Sequence, residues 1–304
     1  MRREIIASCL LGILLLSPCG SVQQSAAAQQ TPPVLQGALT ALTGGTAVAD
    51  VTLAGTARRI AGSDNETGTA TQSVSQVPQP LALLQQAVAA LGGSAPSDST
   101  ANGTITTVAG TQTENGTLVV LTRGTGQTSE QIGTRSGSTE VYSQGQASLI
   151  VGANLTALPL ERAVTSQCPD FPLPLLAGAL NNPDTAYKYV GLETLNSVSA
   201  HHIQFWNSFT STAKLQSLAN FSVRDIWIDP VSGLPQKLSY TRRDAGGAAP
   251  GITVDVFLSN YQNLGGVLYP FSIQKRLNGT PWATITIQSV TFNTGLTDAD
   301  FPVR

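Results

Sequence analysis

His201 and His202 are the only histidines in the chain, and they are adjacent. An imidazole pair raises the question of a metal site or a proton shuttle. Neighbours in a strand point to opposite faces, so this pair cannot readily hold one ion. One ring is expected to turn inward and the other toward solvent. Asp225 and Asp229 share a face with Trp227 in the run Val223-Arg224-Asp225-Ile226-Trp227-Ile228-Asp229. Paired carboxylates perform acid–base work only where a site tunes their pKa values, and the pattern shows no such cleft. Asp229 precedes the turn Pro230-Val231-Ser232-Gly233 and is expected to organise it. Asp298 and Asp300 lie in what looks like a turn and read as solvated or capping residues.

Other chemistry is equally thin. Cys168 is the one thiol outside the N-terminal segment. A nucleophilic thiol needs a neighbouring base, and Ser166-Gln167-Cys168-Pro169 supplies none, so Cys168 reads as a small buried apolar residue. Gly44-Gly45, Gly124-Thr125-Gly126 and Gly246-Gly247 lack the lysine and the strand–helix setting of a phosphate loop. No serine sits in a nucleophile-elbow pattern. These observations imply no catalytic group, no metal and no cofactor.

The aromatic residues are the strongest remaining lead. Phe205, Trp206, Trp227, Tyr240, Phe257, Phe271 and Trp282 fall in the C-terminal part of the chain. Apolar ligand pockets are lined by such side chains, and these seven are the candidate lining of a cavity.

Strands must position them. Tyr187 to Thr194 and Ala200 to Trp206 read as a hairpin turned at Asn196-Ser197. Lys214 to Asn220 reads as a short helix. Val223 to Asp229 alternates strictly, and Pro235 to Arg242 returns from the Pro230–Gly233 turn. Val254, Val256 and Leu258 alternate with Thr253, Asp255, Phe257 and Ser259. Asn278-Gly279 is a strong hairpin signal between Leu268–Leu277 and Trp282–Phe292. The apolar phase of the last strand shifts between Ile287 and Val290, which a bulge explains. Upstream, Leu175 to Leu180 reads as a short apolar helix that Pro183 stops.

The N-terminal half carries a repeat. Leu35 to Leu42 and Leu84 to Leu91 are similar helical stretches 49 residues apart, ended by Gly44-Gly45 and Gly92-Gly93. Gly55-Thr56, Ala61-Gly62 and Glu66-Thr67-Gly68-Thr69 recur 48 residues later as Gly103-Thr104, Ala109-Gly110 and Glu114-Asn115-Gly116-Thr117. A fixed offset through unlike segments indicates a duplicated helix–hairpin. The Ser/Pro-rich stretches between residues 71 and 101 read as linkers around the second helix.

Composition agrees with turn-rich β structure. The 304 residues include 29 glycines and one methionine, and the formal net charge is −2. Charged residues make up 11% of the chain, against roughly 25% in ordinary soluble proteins. Without a basic excess, nucleic acid is excluded as an expected partner. Arg2-Arg3, the apolar run Ile5 to Leu16 and the small residues Ala26-Ala27-Ala28 follow the order of a secretory signal peptide. Cleavage after Ala28 would send the chain to the periplasm or outside the cell. Cys19, in Leu16-Ser17-Pro18-Cys19-Gly20, offers a competing lipid-attachment reading, which Pro18 disfavours. No later segment is long and apolar enough to cross a membrane as a helix. The Asn-X-Ser/Thr triplets at Asn65, Asn102, Asn115, Asn154, Asn220 and Asn278 are better explained by turn chemistry than by glycosylation.

Taken together, Tyr189-Val190-Gly191-Leu192-Glu193, the hairpin Asp225 to Pro235, Gly265-Gly266-Val267-Leu268-Tyr269-Pro270 and Val290 to Phe301 resemble the bacterial outer-membrane lipoprotein carrier superfamily, the LolA/LolB-like fold. The resemblance covers roughly residues 84 to 304. It implies a mainly β fold with a few short helices, in which a strongly curved, open antiparallel sheet (a half-barrel) wraps over helices. It also implies an apolar cavity between them, with a lipid or lipid-modified protein as partner. The expected organisation is a signal peptide at 1–28, a first repeat copy and linker at 29–83, and the half-barrel at 84–304. Such a protein would bind an apolar ligand at the cell envelope, as a carrier. A non-catalytic structural or interaction module is the alternative.

Overall fold

A computed structural model describes residues 50–61, 64–75, 78–135, 137–165, 170–243 and 251–304. The segment read as a signal peptide, Cys19, the Leu35–Leu42 stretch and Cys168 lie outside the described residues. Nearly all that is described falls in one compact unit, Thr52–Arg304.

The strands are β1 (Asp50–Ala61), β2 (Asp64–Ser75), β3 (Asp98–Ala109), β4 (Gln112–Arg123), β5 (Gln127–Gly133), β6 (Ser138–Ser143), β7 (Gln146–Val151) and β8 (Asn154–Ala157). They continue as β9 (Thr185–Leu195), β10 (Val198–Asn207), β11 (Arg224–Ile228), β12 (Pro235–Arg242), β13 (Ile252–Leu264), β14 (Val267–Leu277) and β15 (Thr280–Phe292). The helices are α1 (Pro80–Ala90), α2 (Leu160–Thr165) and α3 (Pro172–Asn181). A 3-10 helix covers Ala213–Phe221, where a short helix is expected from sequence.

β1 and β2 pair as a two-stranded sheet. The other thirteen strands form one antiparallel sheet in the order β8-β7-β6-β5-β4-β3-β15-β14-β13-β12-β11-β10-β9. Its ends, β8 and β9, do not pair with each other, so the sheet is open. The last strand sits in the middle: β15 pairs with β14 on one side and β3 on the other.

The sheet follows from period-two patterning. In β13, Val254, Val256 and Leu258 are buried while the residues between them are more exposed. Register carries this face across the sheet, from Ile203 and Ile226 through Leu238 to Val256. Lys275, Ala283, Ile105, Leu118 and Glu130 occupy the same inner face. Asn196 and Ser197, at φ 48° and 68°, close one hairpin, and Asn278 and Gly279, at φ 48° and 80°, close another. Left-handed backbone at both central positions suits a two-residue turn to the twist of its strands. The expected bulge in β15 lies between Ile287 and Ser289. Asp229 organises its turn, with Oδ1 accepting from the Val231 and Ser232 N–H groups at 3.0 and 2.6 Å.

Helices fill the inner face. Leu84, Ala87, Val88 and Leu91 are buried at helical spacing on and just after α1. Leu84 and Leu91 are fully buried, and each such leucine contributes about 2 kcal/mol. The helix ends where sequence expects it: Gly93 N–H donates to the Val88 carbonyl at 2.8 Å. Leu91 O then accepts from Leu268 N–H at 2.9 Å, which ties the helix end to β14. Gly92 approaches Gly266 so closely that a Cβ there would lie 2.7 Å from the Gly266 carbonyl oxygen. The helix α3 starts earlier than the apolar run suggests, at Pro172, because proline fits a first helical turn where no N–H is needed. The regions read as linkers also shorten: β2 extends to Ser75 and β3 begins at Asp98. Polar Ser/Thr runs alternate as well as apolar ones, which conceals strand ends from composition.

The two N-terminal hairpins match in build. Each has two 12-residue strands, starting at Asp50 and Asp64 in the first and at Asp98 and Gln112 in the second.

Candidate functional site

The first cavity of interest lies where α3 and the end of α2 meet the ends of β10 and β11. Its volume is about 300 Å³, at the low end for small-molecule sites. Leu175 and Ala179 come from α3, Val164 from α2, and Phe205 and Trp206 from β10. Phe209 closes one side from the loop after β10, with φ 51°. That conformation is costly for a bulky residue, and its surroundings hold it. Phe209 N–H donates to Asn207 Oδ1 at 2.9 Å. Asp184 collects the Ser211 N–H at 3.0 Å and the hydroxyls of Thr210 and Ser211, while its carbonyl accepts from Ser208 N–H at 2.8 Å. The Ser211 and Thr210 hydroxyls hold the Asp184 carboxyl below the usual carboxylate range.

Arg224 also lines this cavity. It shares the inner face of β11 with Ile226 and Ile228, pairing opposite Phe205 and Tyr240. The residue is 8% exposed. Its guanidinium donates to two carbonyls, Ser222 O at 3.1 Å and Val164 O at 2.9 Å. Among the described residues no carboxylate pairs with it. Burial pulls Arg224 down to about 10, against the pull of nearby Tyr240. It therefore stays protonated at neutral pH.

A second cavity, about 260 Å³, lies further along the inner face and is charged. Glu130, Glu140, Tyr240, Arg242, Lys275 and Trp282 line it. Lys275 Nζ sits 2.7 Å from Glu130 and 2.9 Å from Asp170, which is fully buried. Burial works against the charge on Lys275, but Asp170 and Glu130 outweigh it and hold the ammonium well above the usual lysine range. Glu140 takes Arg162 and also accepts the Tyr142 hydroxyl at 2.7 Å. Arg242 stands 3.7 Å from Glu140. Here, cations and carboxylates are matched.

The seven aromatic candidates therefore do not form one lining. Phe205 and Trp206 share the first cavity, and Tyr240 and Trp282 share the second. Trp282 reaches it from beside the bulge at Lys275–Arg276. Phe271 is part of the solid core, edge-on to Tyr269. Trp227 and Phe257 lie on the outer face, in register with His202, Lys237 and Gln274. Strand parity explains the division, since Trp227 alternates with buried Ile226 and Ile228. The same parity was the available signal for Arg224, Glu130 and Glu140, which sequence reasoning did not single out.

The histidines do separate to opposite faces. His201 Nδ1 is 3.0 Å from the Tyr189 hydroxyl on the inner side. His202 is not solvated, contrary to expectation. It stacks on Trp227 with centroids 4.2 Å apart, and its nitrogens sit 2.9 Å from Glu193 and 2.8 Å from Asp225. Trp227 Nε1–H donates to Glu193 at 2.8 Å. Asp300 is a capping residue as expected, accepting from Thr297 N–H at 2.7 Å. Asp298 is solvent-exposed, as expected, and pairs with Arg123 at 2.6 Å. No group of three or more metal-binding side chains occurs among the described residues. No described helix is long and apolar enough to cross a membrane.

No protein-family model and no curated protein matches the sequence. Solved structures do. A DUF1329 family protein from Desulfovibrio piger superposes with a TM-score of 0.51 at 13% identity, covering 74% of this chain and 98% of the other. A LolA superfamily protein from Nitrosomonas europaea gives 0.50 at 15% identity, again covering 74% and 98%. At such identities the likeness concerns architecture. The open antiparallel sheet curved over α1 and α3 is thus the fold of the LolA superfamily proteins, which the turn and strand signatures of the sequence had indicated.

Proposed function

We propose that this chain is an exported cell-envelope protein that holds a lipid or other apolar ligand beneath its curved sheet, in the manner of a carrier. The observation that carries the reading is the cavity of about 300 Å³ beside α3, with Leu175, Ala179, Phe205, Trp206 and Phe209 in its walls. Export rests on the order of basic, apolar and small residues in Met1 to Ala28. The shared fold with a LolA superfamily protein supports an envelope role. The carboxylates of the second cavity are neutralised by partner cations, which favours a structural use over acid–base catalysis.

Native mass spectrometry of protein recovered from its own envelope tests this reading. The expected result is a bound lipid-sized mass that disappears in Ala179→Phe, a variant that fills the cavity. A homogeneous ligand-free mass, with no uptake of lipid in titration, would overturn it.

A structural or interaction module is the second reading. The matched charges on the inner face favour it, because these ion pairs link separate elements without any ligand. A stable protein partner in cross-linking, with an empty cavity, would support it.

A further inference from the structure

We infer that the cavity beside α3 takes an amphiphile with an anionic head, a carboxylate or a phosphate monoester, and that Arg224 receives the head. This deepens the ligand-binding reading and rests on it.

The argument starts from how the inner face treats its other cations. Lys275 lies against Glu130 and Asp170, and Arg162 and Arg242 lie against Glu140. Arg224 is as deeply placed, at 8% exposure, yet among the described residues it meets carbonyls and no acid. Burying a charge without a counter-charge is costly. A guanidinium is also a planar fork whose geometry matches a carboxylate or phosphate with two parallel hydrogen bonds. Two carbonyl bonds use only part of its five donors.

The cavity wall is divided to match such a ligand. Ser222, Asn207 and Thr185 are polar lining residues, whereas Leu175, Ala179 and Phe209 offer apolar surface. An entirely apolar ligand would leave the remaining donors of the buried guanidinium facing hydrocarbon, which is unfavourable. An anionic head with a single short tail satisfies both parts. The small volume argues against several long chains.

The test compares three ten-carbon probes on the purified, delipidated full mature chain: decanoate, decyl phosphate and decanol. Isothermal titration calorimetry reads affinity. At least one anion is expected to bind tenfold or more tightly than decanol, and the tighter anion identifies the head. In Arg224→Met the preference for the anion over decanol is expected to fall to twofold or less. Arg224→Lys keeps the charge without the fork and is expected to retain part of the preference. Equal binding of all three probes by the wild type would overturn the anionic head while leaving an apolar ligand intact. A preference that survives Arg224→Met would overturn the role of Arg224. Binding of none of the probes would remove both the head and the underlying reading. Because the wild-type comparison needs no variant, poor folding of Arg224→Met does not protect the proposal.

Discussion

The Arg224 guanidinium donates to the Val164 carbonyl at 2.9 Å, so the end of α2 is fastened to the inner face of β11. The bond makes one residue both a wall of the cavity and a tie between two elements far apart in sequence. Replacing Arg224 therefore acts on stability as well as on ligand preference. Arg224→Met is expected to cost about 1–3 kcal/mol, the range for losing hydrogen bonds from a charged group. Urea unfolding at neutral pH measures it.

Lys275→Met should be among the most damaging single changes in the chain. It leaves fully buried Asp170 and its neighbour Glu130 without their cation. Breaking a buried pair from one side costs about 3–5 kcal/mol. In a double-mutant cycle, Asp170→Asn should recover part of the loss. Simple additivity of the two substitutions would show that they are not coupled.

Gly92 and Gly93 make a controlled comparison. Gly92 has φ 126°, and a Cβ there meets the Gly266 carbonyl oxygen at 2.7 Å. Gly93 has φ 81° with open space around it. Gly93→Ala should therefore cost only the left-handed conformation, about 1 kcal/mol. Gly92→Ala adds a backbone collision and should cost more, about 2–3 kcal/mol. Thermal melts of the two variants give the ranking.

Asp98 sets an acid-side dependence. Burial opposes its charge, but N–H groups of Thr294, Gly295 and Leu296 and the Thr294 hydroxyl prevail and lower its pKa. A carboxyl depressed in the folded state stabilises fully above its unfolded value, about 3.9. That stabilisation is lost as pH falls through the folded value. Wild-type protein should thus lose more stability than Asp98→Asn as pH drops below about 5. Parallel acid limbs in chemical denaturation would contradict this assignment.

Trp227→Phe keeps the ring that stacks on His202 but removes the N–H donated to Glu193. The Trp227 hydrogen bond is the leading reason that the Glu193 pKa is lowered, with His202 next. An NMR titration should show the Glu193 carboxyl moving up toward its ordinary value in this variant.

Strand parity was legible in the sequence where one face is plainly apolar, as at Val254, Val256 and Leu258. The hairpin turns at Asn196-Ser197 and Asn278-Gly279 were equally legible, because few residues accept left-handed backbone. The site was less so. Aromatic type alone grouped Trp227 and Phe257 with Phe205, although parity separates them. Arg224, Glu130 and Glu140 look like surface residues until register turns them to the inner face. Lys275 on β14 meets Glu130 on β5 over the three strands β15, β3 and β4, and nothing local to either residue announces the pairing.

The position of β15 bears on how the molecule assembles. Thr286 pairs with Thr104 on one side and Ser272 on the other, so the last strand joins the β3–β8 half to the β9–β14 half. Before it docks, β3 and β14 are each an uncovered strand edge. Contacts this distant in sequence form slowly, and open edges invite pairing between chains. Refolding should therefore contain a late, concentration-sensitive phase, and a chain truncated before Thr280 should aggregate as two unjoined half-sheets.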